Sequence, residues 1–405
     1  MDTGRIQSVG KSDWKDMLYY VADLRLRSMR PAIPPFPHPW EEIGPGYCYG
    51  PAFGHWDIVH AVLDAIPFNP EHAQMQIANN FAAQREDGFL PGSIWLREGK
   101  TRWNKEAGHP PVWPFAVQDY MDAYGHELLP EAYERLTRQI GWFELHRKAE
   151  GQGFFYKDIL SRVWESGVDD GIRFLNTQPG RFACVDTTSH VFSMYVYAHQ
   201  WGQILGKNSA EYKEKADVLQ SFIQEVLFVE ETSFFHDVWA AKDPALRCLS
   251  FEGMWPLVVG AATPEQAHRV IDENLLSPAR FFTAHPLSTV SVDDPRFELR
   301  MWRGPAWNSM TYWAARGCVN YGAFSAAKAL LERALDDSAK QFERTGTIWE
   351  FYHPHGGNPE DLQRKPHTEF NAPCRDYLGH NPLLAMAMLY DQAKDQQEGE
   401  RNIAQ

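Results

Sequence analysis

The chain has 405 residues, 44% hydrophobic and 23% charged, enough for one large core or two to three ordinary ones. Its 53 acidic side chains against 39 basic ones leave a formal charge of -14, a sign that repels phosphate backbones and excludes nucleic acid as a partner class. No run approaches the length of apolar chain that a membrane span needs, and Met1-Asp2-Thr3-Gly4-Arg5 opens without an apolar signal segment.

The periodic stretches along the chain are helical. Trp14–Met29 sets Leu18, Val21, Leu24 and Leu26 among charges. Ile58–Ile66 and His72–Gln84 follow, the second entered through Asn69-Pro70, a cap and a first-turn proline. The spacing then predicts helices over Val112–Tyr124, Pro130–His146, Ser189–Ile204 and Glu211–Phe228. It continues with Pro264–Glu273, Ala306–Val319, Phe324–Phe342 and Pro382–Lys394, and adds a twelfth near Phe251–Ala261. Thr263-Pro264-Glu265-Gln266 reads as a capping box, and Asn208-Ser209-Ala210-Glu211 as a similar start. Strand signals are confined to Gly153–Tyr156 and Ser288–Val292.

Helices in pairs, joined by alternating short and long loops, fit an all-α toroid of helical hairpins. No Gly/Ser-rich linker divides the chain, so residues 1–405 are read as a single domain with flexible ends at 1–10 and 395–405. Five scattered cysteines (Cys48, Cys184, Cys248, Cys318 and Cys374) form no Cys-x-x-Cys and are read as reduced core thiols of a cytoplasmic protein.

The long connections are rich in rings: 15 Trp, 16 Tyr and 24 Phe exceed what a core requires. These loops carry Gly54-His55-Trp56-Asp57, Gly88–Gly92, His109-Pro110-Pro111, Glu165–Asp169, His285–Ser288 and Trp349–Gly357. Loops of such length are usually functional, and all six are expected at one mouth of the toroid, forming one pocket.

Two of them set acids beside indoles: Trp164-Glu165-Ser166-Gly167-Val168-Asp169 and Trp349-Glu350-Phe351-Tyr352-His353-Pro354. Between them lies Met301-Trp302-Arg303-Gly304-Pro305-Ala306-Trp307. Rings stack on the C–H faces of a sugar and acids bond its hydroxyls; two facing acids can also protonate a glycosidic oxygen and activate a water. Each residue has a plainer alternative. Asp169 is taken as the chemical acid and Asp170 as the cap of a helix near Gly171, a choice that the loop's own chemistry leaves near even. Glu350 could be a salt-bridged structural acid. Arg303, before a helix whose first-turn proline is Pro305, could grip two sugar hydroxyls or a catalytic carboxylate, or cap a neighbouring helix. Asp57 fits an N-cap of the following helix better than a chelator of vicinal hydroxyls. Sixteen His include no His-Glu-x-x-His and no Cys/His quartet, so no metal is expected. Nucleotide-binding glycine motifs and a Gly-x-Ser-x-Gly elbow are absent as well.

Taken in order, Trp56-Asp57, Pro110-Pro111, Glu165-Ser166-Gly167-Val168-Asp169, Trp302-Arg303-Gly304-Pro305-Ala306-Trp307 and Trp349-Glu350 resemble the inverting α-glycosidases of glycoside hydrolase family 63. The likeness is closest to short bacterial mannosylglycerate and glucosylglycerate hydrolases, more distant to family 37 trehalases, and runs from about Gly54 to the C-terminus. It implies an (α/α)6 barrel, no cofactor, Asp169 as general acid and Glu350 as general base. It also implies that Trp56, Asp57, Trp164, Gly167, Arg303 and Trp307 line the sugar subsite; Phe53, His109, Trp302 and Tyr352 complete the candidate binding set. Members of that family often carry Gln where His109 stands, an Asn in place of Asp170, and a Trp within the segment corresponding to Cys374–His380.

The implied reaction is exo-hydrolysis of a small α-glucoside or α-mannoside, with a small-molecule sugar as the partner; a homo-oligomer remains compatible with the sequence. For a glycerate aglycone, Arg173, Arg375 and His380 are the candidate cations. Two rival readings stand beside it: a sugar epimerase of the N-acylglucosamine 2-epimerase type working through His109, His285 and His353, and a non-catalytic carbohydrate-binding protein.

Overall fold

The computed structural model describes residues 3–175 and 177–404. The predicted flexible ends include residues 1, 2 and 405, which lie outside that range. Most of the predicted helices form with shifted ends. Asp57–Ala65, Pro70–Ala82, Trp113–Tyr124 and Leu129–His146 occupy the first half. Val185–Ile204, Ala210–Phe222, Asn308–Asn320, Phe324–Thr345 and Leu383–Ala404 carry the second. The caps behave as their chemistry requires: Asn69 accepts from the His72 N–H, and Thr263 and Gln266 form both halves of a capping box. Ser209 makes no side-chain cap.

Three expectations change. The helix predicted from Ala306 begins at Asn308, because Ala306 instead exchanges both backbone hydrogen bonds with Tyr352. Gly153–Tyr156 and Ser288–Val292 contribute isolated bridges rather than strands. A three-stranded antiparallel sheet, Ala52–Gly54, Ser93–Arg97 and Lys100–Trp103, joins the helices. Its hairpin turns on Glu98-Gly99, both with positive φ (52° and 71°), which is the two-residue turn that matches strand twist.

The buried helices pack against one another. Asp57–Ala65 lies against Trp113–Tyr124 and Leu383–Ala404, and Asn308–Asn320 lies against Trp255–Val258 and Leu383–Ala404. Trp313 marks the middle: it meets Phe115, Trp255 and His60 from three different helices. One hydrophobic cluster runs from Ile6 to Ala393. Because Asp57 and Asn308 open their helices, the loops before both, with Trp56 and Trp307, meet at one end of this bundle. A cavity of about 430 Å³, lined by Ile66, Asp119, Arg316 and Met388 among others, lies at the opposite helix ends. Among the described residues no helix is long and apolar enough to cross a membrane.

Candidate active site

The first acid loop is held by its other acids. Glu165 takes a buried bidentate bond from Arg147 (2.7 and 2.7 Å) and accepts from the Lys157 N–H. The Asp158 carboxylate accepts the N–H groups of Glu165 and Ser166 at 2.8 and 2.7 Å. Gly167, at φ 74°, lies so close to Trp56 that an added Cβ would stand 2.4 Å from the indole. Gly167→Ala is therefore expected to cost about 1–3 kcal/mol in urea unfolding, by overpacking on top of the positive φ, and to lower kcat/KM. Unfolding curves matching the parent would contradict that close approach.

Asp170 caps no helix. It adopts φ 59° and pairs with Arg303 (Nη2 to Oδ1, 2.9 Å) and Arg300 (3.2 Å), while the Arg303 Nε–H reaches its carbonyl. Arg303 also binds Glu298 at 2.9 Å. Its fork is thus committed to pinning this loop. Asp169 is left facing elsewhere, with its side chain 23% exposed, and pairs with Lys365 at 2.8 Å.

The second loop is a bridge of backbone pairs. Tyr352 pairs with Ala306, Glu350 N–H bonds Cys374 O at 2.9 Å, and Asp376 N–H bonds Ile348 O. The Glu350 carboxylate, 1% exposed, accepts from Arg364 Nε (3.0 and 2.8 Å) and from the Cys374 N–H (3.0 Å). Burial disfavours the Arg364 cation, but Glu350 outweighs it and lifts the guanidinium well above its ordinary value. Lys365 behaves alike: burial lowers it, and Asp169 more than restores it.

The two acids therefore meet two consecutive cations. Arg364 and Lys365 both lie over the Tyr49 ring, at 5.1 and 5.3 Å. A third carboxylate joins them. Asp57 is packed between Gly54 and Gly379, where an added Cβ would come within 1.9 and 2.0 Å of its oxygens, and accepts from Tyr377 Oη at 3.2 Å. Burial pushes its pKa up to about 7, with Glu350 and Asp169 adding to the rise. Tyr47 sits in the field of all three acids; burial and then Asp57 raise its hydroxyl well above the usual range.

The sign of the Asp57 shift has a consequence for stability. A carboxyl that binds its proton more tightly folded than unfolded stabilises fully below the unfolded value of about 4 and loses that contribution as pH rises through about 7. Asp57→Asn should accordingly flatten the fall in unfolding free energy between pH 5 and pH 8. An unchanged slope in urea titrations at the two pH values would show that Asp57 does not carry it.

Beside the acids stands a stack of indoles. Trp302 lies on Trp307 at 3.8 Å and 5° and faces Trp56 at 6.0 Å and 12°. His380 meets all three edge-on and is 3.8 Å from Asp57. Burial, then His60 and His109, push its pKa well below neutral. Trp56 Nε1 and His109 Nδ1 are buried nitrogens without a hydrogen-bond partner, and burial holds His109 neutral with a pKa of about 4.

The structure thus brings Asp57, Asp169 and Glu350 together, and gathers Trp56, Trp302, Trp307, His109 and Gly167 beside them. Trp164 is half-buried at φ 60°, next to the well-held Glu165. Phe53 packs on Phe36 at 4.6 Å and Tyr352 stacks on His285 at 4.4 Å, both in the interior, where they support the loops. Asp57 is the first helical residue rather than the N-cap, which is Trp56. Of the three candidate cations, Arg173 and His380 are not free. Arg173 is buried among Asp186, Asp237 and Glu252, Arg375 bonds the Thr345 carbonyl, and His380 is neutral. Reading the sequence missed Tyr47, Tyr49, Arg364, Lys365 and Tyr377. The signals were present: two tyrosines in Gly44–Pro51, and paired bases shortly after Trp349-Glu350.

Among the described residues, Cys184, Asp186 and Asp237 bring donor atoms close enough for a metal. Arg173 already bonds both carboxylates, at 2.8 and 3.4 Å, and supplies the cation there. His285 is fully buried with both ring nitrogens bonded, to Asp337 (2.8 Å) and Asn308 (3.0 Å), so it is not placed to move protons on a sugar.

A family model for the mannosylglycerate hydrolase MGH1-like glycoside hydrolase domain matches residues 51–371. The chain belongs to this family. It is a glycoside hydrolase, which removes the epimerase and the non-catalytic readings. Its fold is that of glycosidases of known structure. The mannosylglycerate hydrolase of Thermus thermophilus, solved with glucose, superposes with a TM-score of 0.67 at 17% identity over 93% of this chain and 99% of that one. The same enzyme has been solved with Tris and D-glycerate (TM-score 0.68, 16% identity, 93% and 100% covered). A neutral trehalase from Saccharomyces cerevisiae follows at 0.65 and 16%, covering 94% of this hydrolase and 80% of the trehalase. No curated protein matches the sequence.

Proposed function

We propose that this hydrolase is an inverting exo-α-glycosidase acting on a small α-glucoside or α-mannoside, on a single-domain (α/α)6 barrel. The observation that carries the reading is the convergence of Asp169 and Glu350, from loops far apart in sequence, on the neighbouring pair Arg364-Lys365. Asp169, the more exposed acid, donates a proton to the departing glycosidic oxygen. Glu350, oriented by Arg364 and the Cys374 N–H, takes a proton from water on the opposite ring face. A general acid works with its oxygen turned to the leaving group, and in the free site that oxygen is paired with Lys365, so entering substrate displaces Lys365. Asp57 and Tyr377 bond sugar hydroxyls, and the unpartnered nitrogens of Trp56 and His109 add further contacts. The indole stack keeps bulk water from the oxocarbenium-like centre.

An anionic aglycone would meet Lys365, which lies beside the acid that serves the leaving group. D-Glycerate bound to the Thermus thermophilus enzyme is in keeping with that chemistry. The test is to incubate the protein with mannosylglycerate, glucosylglycerate, trehalose, kojibiose and nigerose and to follow monosaccharide release. The first-formed anomer is then read by proton NMR. Release of the β-anomer from an α-linked substrate is expected. First-formed α-anomer, or no release from any α-glycoside, rejects the proposal.

A further inference from the structure

Two of the five thiols stand apart from the others. Cys184 and Cys318 are sealed in the core, and burial pushes both well up, Cys318 to about 12. Cys48 and Cys374 come instead from segments that run along one another. The Ile43 carbonyl accepts from the Leu378 and Gly379 N–H groups at 2.8 and 2.9 Å. An added Cβ on Gly44 would stand 2.3 Å from Asp376 O, and one on Gly46 would stand 1.7 Å from Arg375 O. Only glycine permits so close an approach, and it sets the segments that carry Cys48 and Cys374 side by side, where the two thiols act on one another. Cys48 is half-buried and reachable, whereas Cys374 is buried.

The surroundings suit thiol exchange. The Arg364 guanidinium bears on both sulfurs and favours a thiolate, but at Cys374 the Cys48 thiol, burial and Glu350 outweigh it and push the thiol well up. The hydrogen bond from Cys374, ahead of opposing burial, lowers the Cys48 thiol, so Cys48 is the first to ionise. Both residues also touch the working parts. Cys374 gives its N–H to Glu350, and Cys48 lies between Tyr47 and Tyr49, the latter being the ring beneath Arg364 and Lys365.

We propose that Cys48 and Cys374 form a redox modification site that closes to a disulfide and switches the hydrolase off. The switching half of this proposal rests on the assignment of Glu350 and Asp169. The oxidant is a small disulfide such as oxidised glutathione. The Cys48 thiolate attacks one of its sulfurs and expels a glutathione thiolate. Cys374 then attacks the Cys48 sulfur, its thiol proton passing to the departing glutathione sulfur, and expels the second. Two protein thiols and one glutathione disulfide thus become one protein disulfide and two glutathione thiols. The cross-link ties the Tyr49 loop to the Glu350 loop and holds Arg364 and Lys365 on the acids that substrate must free.

The test uses the full chain, reduced and then treated with oxidised glutathione. Peptide mapping by mass spectrometry should find Cys48 joined to Cys374, with Cys184, Cys248 and Cys318 still free. Turnover of the best α-glycoside from the panel should fall by about tenfold or more and return with dithiothreitol. Cys48→Ser should keep its turnover in the oxidant. A stable glutathione adduct on Cys48, a disulfide elsewhere, or cross-linking without loss of turnover overturns the proposal. Because mapping needs no substrate, the cross-link is decided even if the reduced protein cleaves nothing; that result overturns the switch through the failure of the site assignment.

Discussion

Asp169→Asn should lower kcat toward an ordinary α-glycoside by roughly 10²–10⁴-fold, the usual range for loss of a positioned general acid. The side chain is partly exposed and its counter-ion, Lys365, can return to water, so the fold should persist. The variant should also show a leaving-group signature. The fluoride of an α-glycosyl fluoride departs without needing a proton, and hydrolysis of that substrate should survive far better than that of a disaccharide. Glu350→Gln should lose turnover on both, because water activation is needed whatever leaves. If both variants respond equally to the fluoride, the division into acid and base is wrong. If either keeps parental kcat, the residue is not catalytic.

Arg364→Met should cause the largest loss of stability at any single position in the site, about 3–5 kcal/mol by urea unfolding. Arg364 and Glu350 are both almost fully buried, and removing one leaves the other without a counter-charge. Glu350→Gln bears part of the same penalty, since its amide still accepts from the Cys374 N–H but leaves Arg364 unmatched. Its kinetics belong well below its unfolding temperature. Combining the two substitutions should cost clearly less than their sum, because the double variant buries no unpaired charge. Additive costs would mean that Arg364 does not hold Glu350 through charge, and the orientation of the base would need another source.

Much of this molecule was readable before any coordinates. The helices follow from apolar periodicity and from caps such as Asn69-Pro70 and Thr263–Gln266, which are local effects. The sheet was legible too, had Glu98-Gly99 between alternating segments been read as a hairpin turn. Two acids beside tryptophans, in a set order with Arg303 and Trp56, were enough to reach the glycosidase family.

What each residue touches was decided elsewhere. Asp169 and Asp170 are neighbours of one chemical type, yet one faces Lys365 and the other anchors Arg303 and Arg300. Sequence spacing cannot separate them, because the choice depends on backbone φ at Asp170 and on cations distant in the chain. Arg303 likewise looked free for sugar until Glu298 and Asp170 were seen to occupy its fork. The third acid gained its raised pKa from burial between two glycines, one of them more than 300 positions away. Local chemistry was therefore enough to determine helices and caps, and the order of the motifs was enough to reach the family. Partner choice among charges belongs to long-range packing, since a carboxylate's state depends on what burial and folding set against it.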